Sequence, residues 1–371
     1  MIVSNEHSNL VRLGDYIEIY DVKNIDAQDL AFCGINKDKT FMPTVADTNE
    51  LDKSKYKIVK KDVFVFSGMQ TGRDVCIRLA LYEKSDSILV SPAYTTFVVK
   101  DKSEILPEYL FIQFNRFEMD RYGWFLSDGS IRSNLDWNVF CDIMIPLPDI
   151  DTQQELVDTY NGLKALAEQN EALIKPLTEA CQAYIVDCKK KYPEVELGGY
   201  IEEIDERNAT NEITLTQGVD VNMQFIPAKR EAADKEGTKI VRTGQFAINK
   251  VVKANGTKLP IALRTGPDCI ISSSYAVFQI NNQELNVKFL RLWFSRPEVH
   301  RYCGFISQGT TRDVFSYEDL CNMKIPLPPP GVQQAIVKIY NCAEEAKKIA
   351  SEAREKLKML CPALVQRAIN N

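Results

Sequence analysis

The chain repeats itself once, and the repeat carries its own spacer. "VRLGDYIEIYDVKN" at 11–24 returns as "VELGGYIEEIDERN" at 195–208, and "RYGWFLSDGSIR" at 121–132 returns as "RYCGFISQGTTR" at 301–312. "IPLP" followed by "QQ" occurs at 145–148 and 153–154, and again at 325–328 and 333–334. The register drifts little: Val195 follows Val11 by 184 residues, and Ile325 follows Ile145 by 180. Within 371 residues, a repeat of this size predicts two similar globular modules alternating with two linking segments. The expected division is 1–150 for the first module, 151–192 for the first spacer, 193–330 for the second module and 331–371 for the second spacer. Two similar reading heads at a fixed separation suit a two-part target better than a single active site.

The spacers have the pattern of paired helices. From Thr152 the apolar positions run Leu156, Tyr160, Leu163, Ala167, Asn170, Ile174, Leu177, Cys181, Tyr184 and Cys188, with intervals alternating four and three and Asn170 the one polar member. The second spacer gives Ile336, Ile339, Ala343, Ala346, Ala350, Ala353, Leu357, Leu360 and Leu364 in the same alternation. This is a heptad seam, and its central alanines admit a close neighbour. Each run spans roughly 35 residues, about 50 Å of helix. Two such stripes exposed to water would form a large apolar patch, so the expectation is that they pair with each other, antiparallel. Pro176 is expected to kink the first helix.

The modules read as α+β. "KKDVFVFSG" (60–68), "RTGQFAINK" (242–250), "SPAYTTFVV" (91–99) and "SSSYAVFQI" (272–280) alternate in strand fashion, followed by short amphipathic helices at 107–116 and 287–296. Tyr122, Tyr302, Phe125, Phe305 and Trp124 are expected in the core, with base-stacking as the alternative, and the equivalent Cys141 and Cys321 are expected there too. Asn255-Gly256, between "KVVKA" and "TKLPIALR", signals a two-residue hairpin with Lys253, Asn255 and Lys258 at its tip. A two-stranded ribbon fits the major groove, where Asn reads adenine and Lys reads guanine; a solvated tip is the alternative. The matching loop of the first module offers Gln70, Thr71 and Arg73, different chemistry in the same place.

The net charge of −6 argues against nucleic acid only as an average. Residues 239–264 carry six basic residues, among them Arg242, Lys250, Lys253, Lys258 and Arg264, and no acidic one. Their counterparts at 57–80 have Lys57, Lys60, Lys61, Arg73 and Arg78 against Asp62 and Asp74. A basic stripe on an acidic chain is a local electrostatic footprint, with a solvated charged face as the alternative. Arg132 and Arg312, beside small-residue loops, are candidates for phosphate contact.

Composition otherwise excludes more than it selects. Hydrophobic residues make up 45% and charged residues 26%, enough for a real core in each module. No apolar run reaches the length of a membrane span, and no signal-peptide core is apparent at the N-terminus. The ten cysteines never fall as C-x-x-C, so a reduced cytoplasmic protein is expected. With only His7 and His300, neither a His-based metal site nor a Ser–His triad is expected. "GINKDKT" (34–40) lacks the glycine before lysine that a phosphate loop needs, and no nucleotide fingerprint follows a strand.

Two modules, each ending in "IPLP…QQ" and leading into a heptad helix, resemble the specificity (S) subunit of type I restriction-modification systems across essentially the whole chain. The resemblance implies two tandem α/β target recognition domains, each reading one half of an interrupted double-stranded DNA sequence. An antiparallel coiled coil would set the gap, with a pseudo-twofold repeat. It further implies two methyltransferase (M) subunits and restriction (R) subunits as partners, and no catalysis by this chain. S-adenosylmethionine, ATP and Mg would be bound by the partners. A specificity partner of a stand-alone adenine methyltransferase, or a coiled-coil scaffold that binds no DNA, are the alternatives.

Overall fold

In the computed structural model, the strand Phe64–Ser67 is the hub of the first module. It lies in an antiparallel sheet ordered Ile17–Ile19, Thr95–Val99, Phe64–Ser67, Arg78–Leu81. Strand side chains alternate between faces, so this sheet packs two cores. Phe64, Phe66, Leu79 and Phe97 face the helices Pro107–Phe114 and Trp137–Cys141, through Tyr109, Leu110 and Phe140. Val65 and Ala80 face a second sheet, through Val59, Ile88 and Val90. That second sheet is ordered Phe41–Pro43, Ala31–Ile35, Ile88–Val90, Lys57–Val59. Leu10–Arg12 pairs with Met144–Pro146, tying the start of the module to its end.

The structure describes residues 10–44, 51–69, 71–129, 133–228, 237–252, 258–307 and 313–370, with backbone only at 72, 73, 252, 313 and 360–370. Contacts divide the chain into two units, residues 1–169 with 349–371 and residues 170–348.

The second unit rebuilds the same hub. Its sheet is ordered Ile201–Ile204, Tyr275–Ile280, Phe246–Asn249, Ile261–Leu263, again antiparallel. Phe246 stacks on Phe278 at 5.0 Å, as Phe64 stacks on Phe97 at 4.8 Å. The pair Val195–Ile325 reproduces Val11–Ile145. The second layer repeats with fewer rungs: Gln217–Val219 pairs with Phe225–Pro227 and Lys239–Val241 with Cys269–Ile271, and a parallel bridge from Thr216 to Ile270 joins the two ladders, with Ile270 N–H donating to the Leu215 carbonyl at 2.9 Å.

The spacers are single helices, Ile150–Lys191 and Pro330–Asn370. Each contact unit takes the start of one and the end of the other, the pattern of an antiparallel pair. In the second unit Cys181 lies 3.9 Å from the Ile336 carbonyl and shares a core cluster with Ile185, Ile336 and Val337. On the second helix Ile336, Ala343, Ala346, Ala350, Ala353 and Leu357 are buried and Ile339 is half-buried, while the side chains of Leu360 and Leu364 lie outside the described residues. On the first, Leu156, Ala167, Cys181 and Cys188 are buried, and Tyr160, Leu163, Asn170, Ile174 and Leu177 are half-buried.

Tyr184 departs from the expected seam: it is 55% exposed, and Ile185 is buried in its place. An α-helix drifts about 20° per heptad against a strict 3.5-residue repeat. By the fourth heptad the inward stripe runs 177, 181, 185, 188, with one position of the seam exchanged, and Ile185 joins the cluster containing Leu197 and Met323. The helix runs unbroken through Pro176, where the Thr178 hydroxyl donates to the Ile174 carbonyl at 2.7 Å.

A second correction concerns the aromatics. Residues Phe117–Leu126 and Pro297–Ile306 form helices whose inward faces are Met119 and Gly123, and Val299, His300 and Cys303. The residues between them on the wheel point outward, so Tyr122, Trp124 and Tyr302 are exposed, with Phe125 at 78% and Phe305 at 86%. Cys141 and Cys321 are half-buried rather than core. Each packs against the glycine of its "LG" motif, where a Cβ would come within 2.9 Å of the cysteine Cβ.

Candidate nucleic-acid interface

In each module the fold brings together the two loops that the sequence marks as readers. After Phe64–Ser67 the chain turns at Gly68 into the one-turn helix Thr71–Asp74. Leu135 N–H donates to the Gly68 carbonyl at 2.8 Å, and Thr71 N–H donates to the Ser133 carbonyl at 3.0 Å. Gly68 and Thr71 are thereby held against residues 133–135, which follow Arg132 in the sequence. The approach leaves no room for a side chain at 68, since a Cβ would sit 2.1 Å from the Leu135 carbonyl oxygen. Val75 and Ser133, one in each segment, hold φ at +47° and +43°. For a β-branched residue such as Val75 this is a strained conformation of the kind that clusters at functional sites.

The second module makes the same junction by other means. Val251–Val252 pairs antiparallel with Asp313–Val314, and Phe315 N–H donates to the Lys250 carbonyl at 2.9 Å. Residues 250–252 therefore lie against 313–315, which follow Arg312 in the sequence. This overturns the expected hairpin flanks, because "VV" pairs with 313–314 and not with "TKLPIALR". Asn249 N–H reaches the Pro260 carbonyl at 2.9 Å as the last rung, and Pro260 has no N–H with which to extend the ladder. Lys258 is exposed, its Nζ 3.4 Å from the Asn222 side-chain oxygen. Next to it Leu259 N–H donates to Nδ1 of the buried His300 at 3.0 Å. Burial, with the nearby Lys258 charge, lowers the His300 pKa and favours the neutral acceptor form.

The basic stripe does not form one surface. Arg242 and Arg264 sit at the opposite end of Phe246–Asn249 from Lys250, joined there by hydrogen bonds from Gly244 N–H to the Arg264 carbonyl and from Arg264 N–H to the Gln245 carbonyl. Arg242 is paired with Glu206 and, at 2.7 Å, with Asp268. Arg264 is 6% exposed, donates to Gln217 and to the Pro267 carbonyl, and lies 5.1 Å from the Phe225 ring centre. Both guanidinium groups are thus engaged in holding the second layer. In the first module Lys60 and Lys61 are exposed at the far end of Phe64–Ser67, with Lys60 over the Tyr20 ring. Arg78 lies at the loop end, opposite Ser67, and is paired with Asp74. Thr71 is buried, its hydroxyl donating to the Gly68 carbonyl at 2.9 Å, so it shapes the loop from within. Gln70, Arg132, Lys253, Asn255 and Arg312, and the side chain of Arg73, lie outside the described residues.

Among the described residues no helix is long and apolar enough to cross a membrane, and no three His, Cys, Asp or Glu side chains converge as metal ligands.

Residues 210–358, which include the second "IPLP…QQ" signature, match the family model of the type I restriction modification DNA specificity domain. This chain carries a type I restriction DNA specificity domain. A chain of Methanocaldococcus jannaschii, provisionally named the specificity subunit of type I restriction enzyme MjaX, is 20% identical over 354 residues, covering 86% of this chain and 80% of the relative. The type I restriction-modification S subunit of M. genitalium matches with a TM-score of 0.60 at 11% identity, covering 100% of this chain and 98% of that one. The HsdS subunit of Thermoanaerobacter tengcongensis is 19% identical, covering 98% of this chain and 97% of that one, with a TM-score of 0.45. The specificity-subunit fold is thus the fold of this chain, and the likeness to the M. genitalium protein spans both modules and both spacers.

Proposed function

We propose that this specificity subunit directs a type I restriction-modification complex to an interrupted DNA sequence, each module reading one half. The observation that carries the proposal is the repeated junction: the same strand end meets the same loop in both modules, while the chemistry there differs. Arg78 lies at one junction and Lys250 at the other, and the adjoining sequence carries Gln70, Arg73 and Arg132 in the first module and Lys253, Asn255, Lys258 and Arg312 in the second. A common scaffold with divergent tips suits two heads reading unlike half-sites. Arg and Lys suit guanine edges, Asn and Gln suit adenine, and the flanking loops suit phosphate.

The paired helices set the gap between the half-sites. The chain itself performs no chemistry: two methyltransferase subunits bind S-adenosylmethionine, and restriction subunits bind ATP and Mg. The complex works on double-stranded DNA in the cytoplasm. Co-expression with the cognate methyltransferase subunit, followed by mapping of methylated adenines, tests this reading. A single interrupted motif that depends on this chain is expected. A soluble complex that methylates no defined motif would favour a scaffold.

A further inference from the structure

The first glutamine of each "QQ" is fully buried, and the two make the same three hydrogen bonds. Gln153 Oε1 accepts from Leu106 N–H at 2.9 Å, while its Nε2 donates to the carbonyls of Glu104 and Pro148, both at 2.9 Å. Gln333 Oε1 accepts from Asn286 N–H at 2.7 Å, while its Nε2 donates to the carbonyls of Glu284 at 2.7 Å and Pro328 at 2.8 Å. Leu106 and Asn286 are the N-cap residues of Pro107–Phe114 and Val287–Phe294, the helices that cover the central sheets. Pro148 and Pro328 lie at the last bend before each spacer. One amide therefore clamps three things: the spacer's first turn, the bend before it, and the helix on the module's core.

We infer that Gln153 and Gln333 are positioning residues for target spacing, each fixing the angle at which its module stands on its own spacer helix. This rests on the proposed reading of an interrupted target. Each base pair added to a gap moves the second half-site by about 3.4 Å and turns it by roughly 35°, since a turn holds 10–10.5 pairs. A module free to pivot on its spacer would follow that change, whereas a module clamped by three buried hydrogen bonds would not. Gap discrimination thus depends on the two clamps as well as on helix length. The neighbouring glutamines take no part: Gln154 and Gln334 are exposed, and Gln154 donates to Asp158 on its own helix.

The test uses the assembled methyltransferase complex on duplexes carrying the mapped target with its natural gap, or a gap one base pair longer or shorter. Gln153→Met and Gln333→Met keep the side-chain length and remove the hydrogen bonds; Gln154→Met and Gln334→Met are the controls. Clamp variants are expected to flatten the preference for the natural gap by about tenfold or more, because misplacement of about 1 Å at a reacting centre costs on the order of 100-fold. Binding to each isolated half-site should stay unchanged, and the controls should behave as wild type. Gln153→Glu, which keeps the acceptor and loses both donors, serves as the second variant if Met impairs folding. Clamp variants with a wild-type gap preference would overturn the inference, as would loss of folding in both substitutions. A wild-type complex with no gap preference would instead refute the underlying functional reading.

Discussion

At the loop junctions, single residues decide whether the two segments can meet. Gly68 is there because a backbone carbonyl occupies the space of its side chain. Gly68→Ala should cost about 1–3 kcal/mol, read by urea unfolding, and should weaken recognition by the first module alone. His300 carries a pH dependence. Its folded pKa lies below the ordinary 6.5, so the unfolded chain binds more protons in that range. Stability is therefore complete above about pH 6.5 and falls as the pH drops towards the folded pKa. His300→Asn, which can keep an acceptor for Leu259 N–H, should remove this increment in a series of unfolding curves between pH 5 and 8. The outward aromatics make the opposite prediction. Phe125→Ser and Phe305→Ser should change stability by no more than about 0.5 kcal/mol, since neither ring is in the core.

At the scale of elements, the heptad seam of the second spacer was legible in the sequence, because alternating intervals of three and four over several turns admit one buried face. The same rule failed at Tyr184. A sequence pattern carries no record of accumulated helical drift, nor of the core that captures the end of the helix. The contrast is measurable. Ile185→Ala should cost about 2–5 kcal/mol, while Tyr184→Ser should be close to neutral; the reverse order would restore the strict heptad. The central strands were legible from their period of two, and both sheets appear where that pattern runs. The aromatics were not, since composition favours burying Phe and Trp, and only the wheel of a ten-residue helix resting on Met119 and Gly123 turns them outward. The basic stripe misled for a related reason. The single strand Phe246–Asn249 separates Arg242 from Lys250, its antiparallel partner returns Arg264 to the Arg242 end, and both arginines are engaged with carboxylates, an amide, a carbonyl and an aromatic ring inside the module.

For the whole molecule, the repeat is the feature that sequence, fold and function share. It was visible as recurring "LG", "IPLP" and "QQ" segments because those residues make the junctions that each copy needs: the strand pair that closes the module, the bend, and the buried amide. The loops proposed as readers left little trace beyond charge, since their sequences differ between copies. We propose that the modules read independently, and a module exchange is the decisive experiment: residues 193–330 are replaced with the corresponding module of a relative of different specificity, and methylated adenines are mapped with the same methyltransferase. The predicted result is a motif in which one half changes while the other half and the gap are retained. A motif altered in both halves, or in neither, would contradict it.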